Sequence, residues 1–349
     1  MPAPRPLREA GIDALRALGA LGVIQIHFGP FRGAEWDGTP EGALSVAASF
    51  AARSAVPFFF VTSGYLLARP GRRGTLQSNA LAQGRRILSL FVTWSFLALV
   101  VRGALRAGNR LNPAEFLEPF ARFADQVRAR PLDALLGGTE EHLWFLPALV
   151  TGMWMYAAME SKAWSRRLVP AAAVAVALVG LGINSYAVFA LPLDLNPRSG
   201  PFLAFPMVTL GAWLAQRPLP SLRTAILVLV AGIGLMIAEC ARFLNLTGAS
   251  VVSHDALVSF YVTGPALLAI ARHLSGRITD ALAAFGRLTL GVYSCHTLAA
   301  AIVFDLLRRF GGALPAHVRE IGAFLLVTGV ATGVTLVLAH FPRTRRLVQ

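Results

Sequence analysis

The chain alternates long apolar runs with short polar segments. A helix needs about 20 apolar residues to cross a bilayer, and ten runs approach or exceed that length. They lie at 11–29, 44–68, 86–106, 141–160, 168–190, 201–216, 222–240, 255–273, 282–306 and 319–340. The pattern predicts an all-α polytopic membrane protein with about ten transmembrane helices.

The longest polar segment connects the third and fourth runs, at 107–140. It contains Pro113, Pro119 and Pro131, and an amphipathic stretch near 114–129. Such a stretch is typical of a helix lying on the membrane surface, so we expect an interfacial or cap helix on the extracytoplasmic side. No stretch has the composition of a soluble domain. We therefore expect one membrane-embedded domain over 1–349, with no soluble domain.

Positive charge predicts the orientation, because short cytoplasmic loops are rich in Lys and Arg. With a cytoplasmic N-terminus, the inside segments carry 18 Lys and Arg residues and the short outside segments carry six. An even number of spans then places both termini in the cytoplasm.

Composition agrees with a membrane protein. Charged residues make up 14% of the chain, against about 25% in soluble domains. The net charge of +14 would suggest nucleic acid in a soluble domain. Here the basic residues form short clusters between apolar runs, without a basic stripe interleaved with aromatics, so no nucleic-acid partner is expected.

Ionisable residues inside apolar runs are costly and therefore informative. The first run carries Arg16 and His27, eleven residues apart. That spacing is close to three helical turns, or about 16 Å, so both side chains lie on one face of a helix. The alternative is a snorkelling arginine and a hydrogen-bonded core histidine.

Further candidates lie in later runs. Glu141, His142 and Trp144 open the fourth run at the predicted level of His27, and His296 lies in the middle of the ninth. Trp144 alone would be an interfacial belt residue, and His296 alone a core histidine. The histidines lack the spacing of a metal site, so no metal is expected.

The second run contains Ser63 followed by Gly64. This pair can kink a helix or allow close helix packing. No strand and sharp turn precede Ser63, so a hydrolase-type nucleophile is not expected there.

A cluster of arginines lies between the second and third runs, on the predicted cytoplasmic side. It comprises Arg69, Arg72, Arg73, Arg85 and Arg86. The orientation signal alone can explain it. The functional alternative is a site for a phosphorylated ligand, because guanidinium groups bind phosphate in a bidentate manner.

Five segments in order together resemble the integral-membrane acyltransferase family called acyltransferase 3, whose members include bacterial surface-polysaccharide O-acetyltransferases. The segments are GIDALRALGALGVIQIHF, VPFFFVTSGYLLAR, RRILSLF, HLWFLPALV and FGRLTLGVYSCHTL. They cover about residues 11–300. The family's first span has Arg, ten residues, then His, which Arg16 and His27 match. Thr297 departs from the Pro that often follows the C-terminal histidine.

The resemblance implies a multi-pass enzyme of the bacterial cytoplasmic (inner) membrane. It would transfer an acyl group, most often acetyl, from cytoplasmic acyl-CoA to a hydroxyl of a surface or exported polysaccharide, or of its lipid-linked precursor. The CoA phosphates would bind an arginine set, with acetyl-CoA as the acyl donor. This set comprises Arg16, Arg85 and Arg86, with Arg69, Arg72 and Arg73 behind them.

Within that reading His27 is the expected base, because a hydroxyl needs a base that titrates near neutral pH. Arg16, His142 and Glu141 complete the predicted catalytic set, and Trp144, Ser63 and His296 the predicted acceptor contacts. Direct transfer and an acyl-histidine relay both stay open. The alternative function is a secondary transporter or flippase for a polar or lipid-linked sugar, although no inverted repeat is visible.

Overall fold

The computed structural model describes residues 9–30, 39–161, 165–187, 198, 200–248, 254–310 and 315–348. These residues form α-helices and short 3₁₀ turns, with no strand among them. The helices are α1 (Ala10–Phe28), α2 (Pro40–Arg53), α3 (Ala55–Ala68), α4 (Leu76–Arg110), α5 (Glu118–Ala129), α6 (Pro131–Gly137), α7 (Phe145–Glu160), α8 (Ser165–Gly182), α9 (Pro201–Leu214), α10 (Leu222–Thr247), α11 (Phe260–His273), α12 (Arg277–Gly286), α13 (Thr289–Phe310) and α14 (Ala316–His340). The all-α prediction is confirmed.

Each predicted span contains helix, although some spans are interrupted. The second is divided into α2 and α3 at Ser54, and the ninth into α12 and α13. The fourth begins with a 3₁₀ turn, Glu141–Trp144, that leads into α7.

Length and apolar composition qualify five helical stretches of the described chain to cross a membrane. They are Gly42–Ala68, Leu76–Arg110, Leu222–Thr247, Thr289–Arg309 and Val318–His340. Arg167–Gly182 and Pro201–Leu214 are shorter apolar helices. Large apolar side chains on α10 and α14, such as Leu227 and Leu325, are exposed, as expected for a surface covered by lipid. The protein is therefore a membrane protein, and ten spans with cytoplasmic termini stay a prediction.

Capping residues explain where several helices begin and end. The hydroxyls of Thr39 and Thr75 accept hydrogen bonds from the backbone N–H groups of Gly42 and Ser78, each at 3.1 Å. Such caps satisfy donors that have no partner inside the helix. At its other end, α10 stops at Gly248, whose φ of 67° is the left-handed conformation that favours glycine.

Helix α1 is central in the bundle, because it contacts α2, α3, α11, α12, α13 and α14. Its N-terminal half lies against α12 so closely that a β-carbon at Gly286 would overlap the backbone of Asp13. The helix that carries Arg16 and His27 is thus held from several sides.

The connection between α4 and α7 folds back onto α4. It contains a 3₁₀ turn at Pro113–Leu117, then α5 and α6, so the helix predicted near 114–129 is observed. Glu118 at the start of α5 forms an ion pair with Arg106 of α4 at 3.0 Å.

Candidate functional site

Three histidines from separate parts of the chain meet at the C-terminal end of α1. His27 lies in the last turn of α1, His142 in the 3₁₀ turn before α7, and His296 in α13. The ring centroid of His296 lies 5.7 Å from that of His27 and 4.5 Å from that of His142. The centroids of His27 and His142 lie 6.5 Å apart. We call these residues the histidine cluster.

Tyr293 connects two members of the cluster. Its hydroxyl donates to the backbone carbonyl of His142, and its own carbonyl oxygen lies 2.7 Å from Nδ1 of His296. A carbonyl oxygen can only accept, so Nδ1 of His296 carries the proton. In the neutral ring, Nε2 then holds a lone pair. That Nε2 is buried and has no hydrogen-bond partner among the described residues.

His142 and His296 are buried, with 2% and 0% of their surfaces exposed. His27 lines a cavity of about 260 Å³, and His142 and Tyr293 line it as well. We call it the histidine cavity. Aromatic side chains form much of its lining, which we call the aromatic wall, and they are Phe59, Trp144, Phe145, Phe260 and Tyr293.

A second group of residues that line the histidine cavity is charged, and we call it the charged wall. Arg53 donates to the carbonyl of His254 at 2.9 Å and lies 3.6 Å from the Asp255 carboxylate. Arg198 lies 2.5 Å from Asp255 and 3.3 Å from Glu141. The charged wall thus contains two arginines, each paired with a carboxylate.

His254 belongs to the same wall and is buried beside the ring of Phe243, at 4.7 Å between centroids. Burial, and then the charge of Arg53, lower the pKa of His254 below its ordinary value. The ring is therefore neutral at pH 7.

A buried carboxylate fixes the segment that carries His254 and Asp255. Glu239 of α10 accepts hydrogen bonds from the Tyr186 hydroxyl and from the backbone N–H groups of Val258 and Ser259, the last two at 2.8 and 3.0 Å. Three hydrogen-bond donors, one from a side chain and two from the backbone, therefore stabilise the carboxylate of Glu239 inside an apolar run. Glu239 therefore positions the cavity wall from outside it.

A second buried carboxylate anchors the turn that carries His142. Glu140 is buried, and both of its oxygens accept from the guanidinium of Arg102 in α4. The preceding hydroxyl, of Thr139, donates to the carbonyl of Ser95 in α4 at 2.9 Å. The 3₁₀ turn is thus attached to α4 immediately before Glu141.

The structure brings some of the predicted acceptor contacts together and leaves one apart. Trp144 and Glu141 line the histidine cavity, and His296 lies behind it. The Ser63 hydroxyl donates to the carbonyl of Phe59 in its own helix at 2.8 Å, and Ser63 does not line the cavity.

Arg16 lies on the same helix as His27 but some 16 Å away along its axis, so it does not reach the histidine cluster. Its guanidinium lies 3.5 Å from Asp13, and it is within electrostatic range of Arg86 in α4. Arg85 and Arg86 are exposed. Two of the predicted CoA-binding arginines, Arg16 and Arg86, are therefore neighbours.

The other predicted arginines differ in their contacts. Arg69 forms an ion pair with Glu9 at 2.8 Å, and Arg272 contacts the same carboxylate. Arg72 donates to the carbonyl of Leu66 at 2.9 Å and is exposed, as is Arg73. Arg69 is thus committed to a structural pair, whereas Arg72 and Arg73 face solvent.

A second cavity, of about 370 Å³, follows α1 between the levels of Arg16 and His27. It is almost entirely apolar and is lined on α1 by residues from Leu15 to Gln25, with α2 and α3 opposite. We call it the apolar cavity. Among the described residues, no group of His, Cys, Asp and Glu has an arrangement that could hold a metal ion.

Arg53, Tyr293, Asp255 and Arg198 were not predicted as site residues. Tyr293 had a usable signal, because it lies three residues before His296 and therefore shares a helix face with it. Arg53 also had a usable signal, because it is a charged residue inside an apolar run. Arg198 lies in a polar connection and Asp255 is the first residue of the eighth apolar run. Neither had a usable signal, since a charge at such a position is common and the partners of both residues are distant in sequence.

A family model described as "Acyltransferase domain", which represents the acyltransferase 3 family, matches residues 9–340. The chain belongs to this family. The five segments that resemble this family all lie within the matched residues. A serine/alanine racemase from Enterococcus gallinarum is 28% identical over 270 residues, which cover 73% of this chain and 36% of that protein. The chain thus spans little more than a third of that relative's length. No solved structure matches.

Proposed function

We propose that this acyltransferase moves an acyl group, most often acetyl, from cytoplasmic acyl-CoA to a hydroxyl of a surface or exported polysaccharide or of its lipid-linked precursor. It acts as a single domain over 1–349 in the bacterial inner membrane, with ten spans and cytoplasmic termini. One observation carries the proposal. Helix α1 has Arg16, close to a further arginine, near one end, and His27, which lines a cavity, near the other end.

The donor binds at the arginine end. Arg16 and Arg86 are within electrostatic range of each other, and Arg85 and Arg86 are exposed. Guanidinium groups that face solvent are suited to the phosphates of CoA, and Arg72 and Arg73 extend the same charge. Arg69, which is paired with Glu9, contributes to the field without contacting phosphate.

The thioester must then travel about 16 Å along α1 to reach His27. The apolar cavity covers the same interval, but Leu15, Leu18 and Gly22 place it on the face of α1 opposite Arg16 and His27. The narrow, mostly uncharged pantetheine arm therefore passes along the face that carries Arg16 and His27. We take the transfer to be direct, because such an arm brings the acyl group to the acceptor without a covalent intermediate.

At the histidine end His27 acts as the base. It takes the proton of the acceptor hydroxyl while the oxygen attacks the thioester carbonyl carbon. The carbon–sulfur bond breaks, the CoA thiolate leaves, and the proton passes from His27 to that sulfur. The products are an ester and free CoA, so the ring of His27 returns to its starting state.

The neighbouring residues position the base and the acceptor. His142 and His296 surround His27 with rings that their tight packing holds in place, and Glu141 lies at the charged wall. Trp144 offers its face to the acceptor. Ser63, with its hydroxyl on the backbone of α3, shapes the helix beside the cavity.

The test compares His27→Ala and Arg16→Ala with the wild type in cells and as purified protein. We expect both variants to be present in the membrane fraction and to lose acyl transfer, measured as a single acyl mass difference on surface glycans and as CoA release with a glycan acceptor. The matched control is His340→Ala, which removes an exposed histidine at the end of α14 and should keep full activity.

An active His27→Ala variant would overturn the assignment of the base. Binding of a non-hydrolysable CoA derivative should weaken when Arg85 and Arg86 are both changed to Ala, and an unchanged affinity would remove the donor site. A transporter or flippase would release no CoA under any of these conditions.

A further inference from the structure

Buried polar atoms without partners identify the histidine cavity as a binding site. Both ring nitrogens of His142, Nε2 of His254 and Nε of Arg53 are buried and have no hydrogen-bond partner among the described residues. The Ser294 backbone lies close to the His142 ring, so His254 and Arg53 are the clearest cases. The large majority of buried side-chain polar atoms in proteins are hydrogen-bonded. These two side chains of the charged wall therefore call for a polar occupant.

The charge of the wall restricts that occupant. Among the described residues, Arg53 and Arg198 face two carboxylates, those of Asp255 and Glu141, so these four charges balance. An anion would have to displace Asp255 from its arginines, and would leave that half-buried carboxylate without a cation, which is unfavourable. A ligand with hydroxyl groups instead donates to Asp255 and accepts from Arg53 without disturbing either pair.

The size of the cavity restricts the ligand further. Sites for drug-sized ligands measure about 300–1,000 Å³, and this cavity measures about 260 Å³. It therefore has room for one ring inside, and a longer glycan would extend through its open side. The aromatic wall, with Trp144 and Phe145, suits the apolar face of that ring while its hydroxyls meet the charged wall.

We propose that the histidine cavity is the acceptor site and takes a single uncharged, polyhydroxylated ring such as one neutral hexose unit, with Arg53 and Asp255 as the residues that exclude acidic sugars. The inference rests on the proposed function, because it places the acceptor hydroxyl at His27. The Arg53–Asp255 pair acts by charge balance, so removing the carboxylate leaves the wall with excess positive charge.

The test measures binding, which does not require acyl transfer. Full-length protein in detergent is titrated with neutral methyl hexopyranosides and with the matching methyl hexuronosides, and saturation-transfer-difference NMR reports weak binding. We expect at least one neutral ring to bind tenfold or more tightly than its uronoside. Asp255→Asn should bind the uronoside at least tenfold better than the wild type does.

The matched control is Asp133→Asn, which removes a carboxylate from the exposed pair with Arg130 and should leave the preference unchanged. Equal or tighter binding of uronosides by the wild type would overturn the inference, as would no binding of any ring. If Asp255→Asn does not fold, the inference is still tested by the preference of the wild type for neutral rings over uronosides. If a neutral ring binds but the protein releases no CoA, the proposed function is overturned, whereas the assignment of the histidine cavity as a binding site still holds.

Discussion

Helices α3 and α9 are in backbone contact at two glycines. Adding one methyl group at either glycine tests how much this close contact contributes to the stability of the protein. A β-carbon at Gly64 would lie 2.7 Å from the carbonyl carbon of Val208 and closer still to its oxygen. A β-carbon at Gly211 would lie 2.8 Å from the carbonyl carbon of Val61. Ordinary carbon–carbon contacts measure about 3.5–4.0 Å, so either substitution forces the helices apart by close to an ångström.

The cost follows from two opposing effects. Overpacking of this kind costs about 1–3 kcal/mol, whereas replacing glycine by alanine inside a helix gains about 0.5–1 kcal/mol. Gly329 of α14 has no atom within 4 Å of such a β-carbon, so Gly329→Ala reports the gain alone. The stability difference between Gly64→Ala and Gly329→Ala is therefore the overpacking cost, about 1–3 kcal/mol.

Thermal unfolding of the purified variants in detergent measures this difference. With an unfolding entropy of about 2.1 cal/mol/K per residue, a change of 1 kcal/mol shifts the Tm of a chain of 349 residues by about 1.4 °C. Gly64→Ala should therefore unfold about 1–4 °C below Gly329→Ala. Acyl transfer should fall with it, because α3 also carries Phe59 of the cavity wall. Equal Tm values for the two variants would refute the reasoning, since the helices would then have room for the methyl group.

Two further outcomes concern the support of the cavity wall. Glu239→Gln replaces one acceptor oxygen by an N–H group and leaves a buried backbone donor of Val258 or Ser259 unpaired, so it should cost about 1–3 kcal/mol; Tyr186→Phe should lower Tm less, and the reverse order would contradict the network. Because burial lowers the pKa of His254, the unfolded chain binds a proton that the folded chain does not. Stability should therefore fall as pH drops below about 6.5. His254→Gln should show a smaller loss between pH 7 and 5, and an identical pH profile would contradict the assignment.

Much of the fold could be predicted because it depends on local patterns. The apolar runs predicted helix in each of the ten spans, and the amphipathic stretch near 114–129 predicted α5. The breaks at Ser54 and between α12 and α13 were not predicted, although Arg53 and Arg287 interrupt the apolar runs at these points. A single charge inside an apolar run does not show whether the helix ends there. The close approach at Gly64 was predicted as packing, but its partner Val208 was not.

The candidate site was predictable only in part, for the same reason. His27, His142 and His296 were each singled out as polar residues in apolar runs, yet nothing in their spacing placed them within 7 Å of one another. Ser63 was expected at the acceptor, whereas its hydroxyl satisfies the backbone of its own helix, which is a common alternative for serine in helices.

By itself the sequence determined the class of the protein, its family, and the relation between Arg16 and His27. Each of these follows from composition or from spacing within one helix, where periodicity dictates which side chains share a face. The tertiary structure alone decided that three histidines meet and that Arg53, Arg198 and Asp255 form one wall. Those contacts arise from the sum of many weak packing interactions between helices, and no local pattern records which helices will be neighbours.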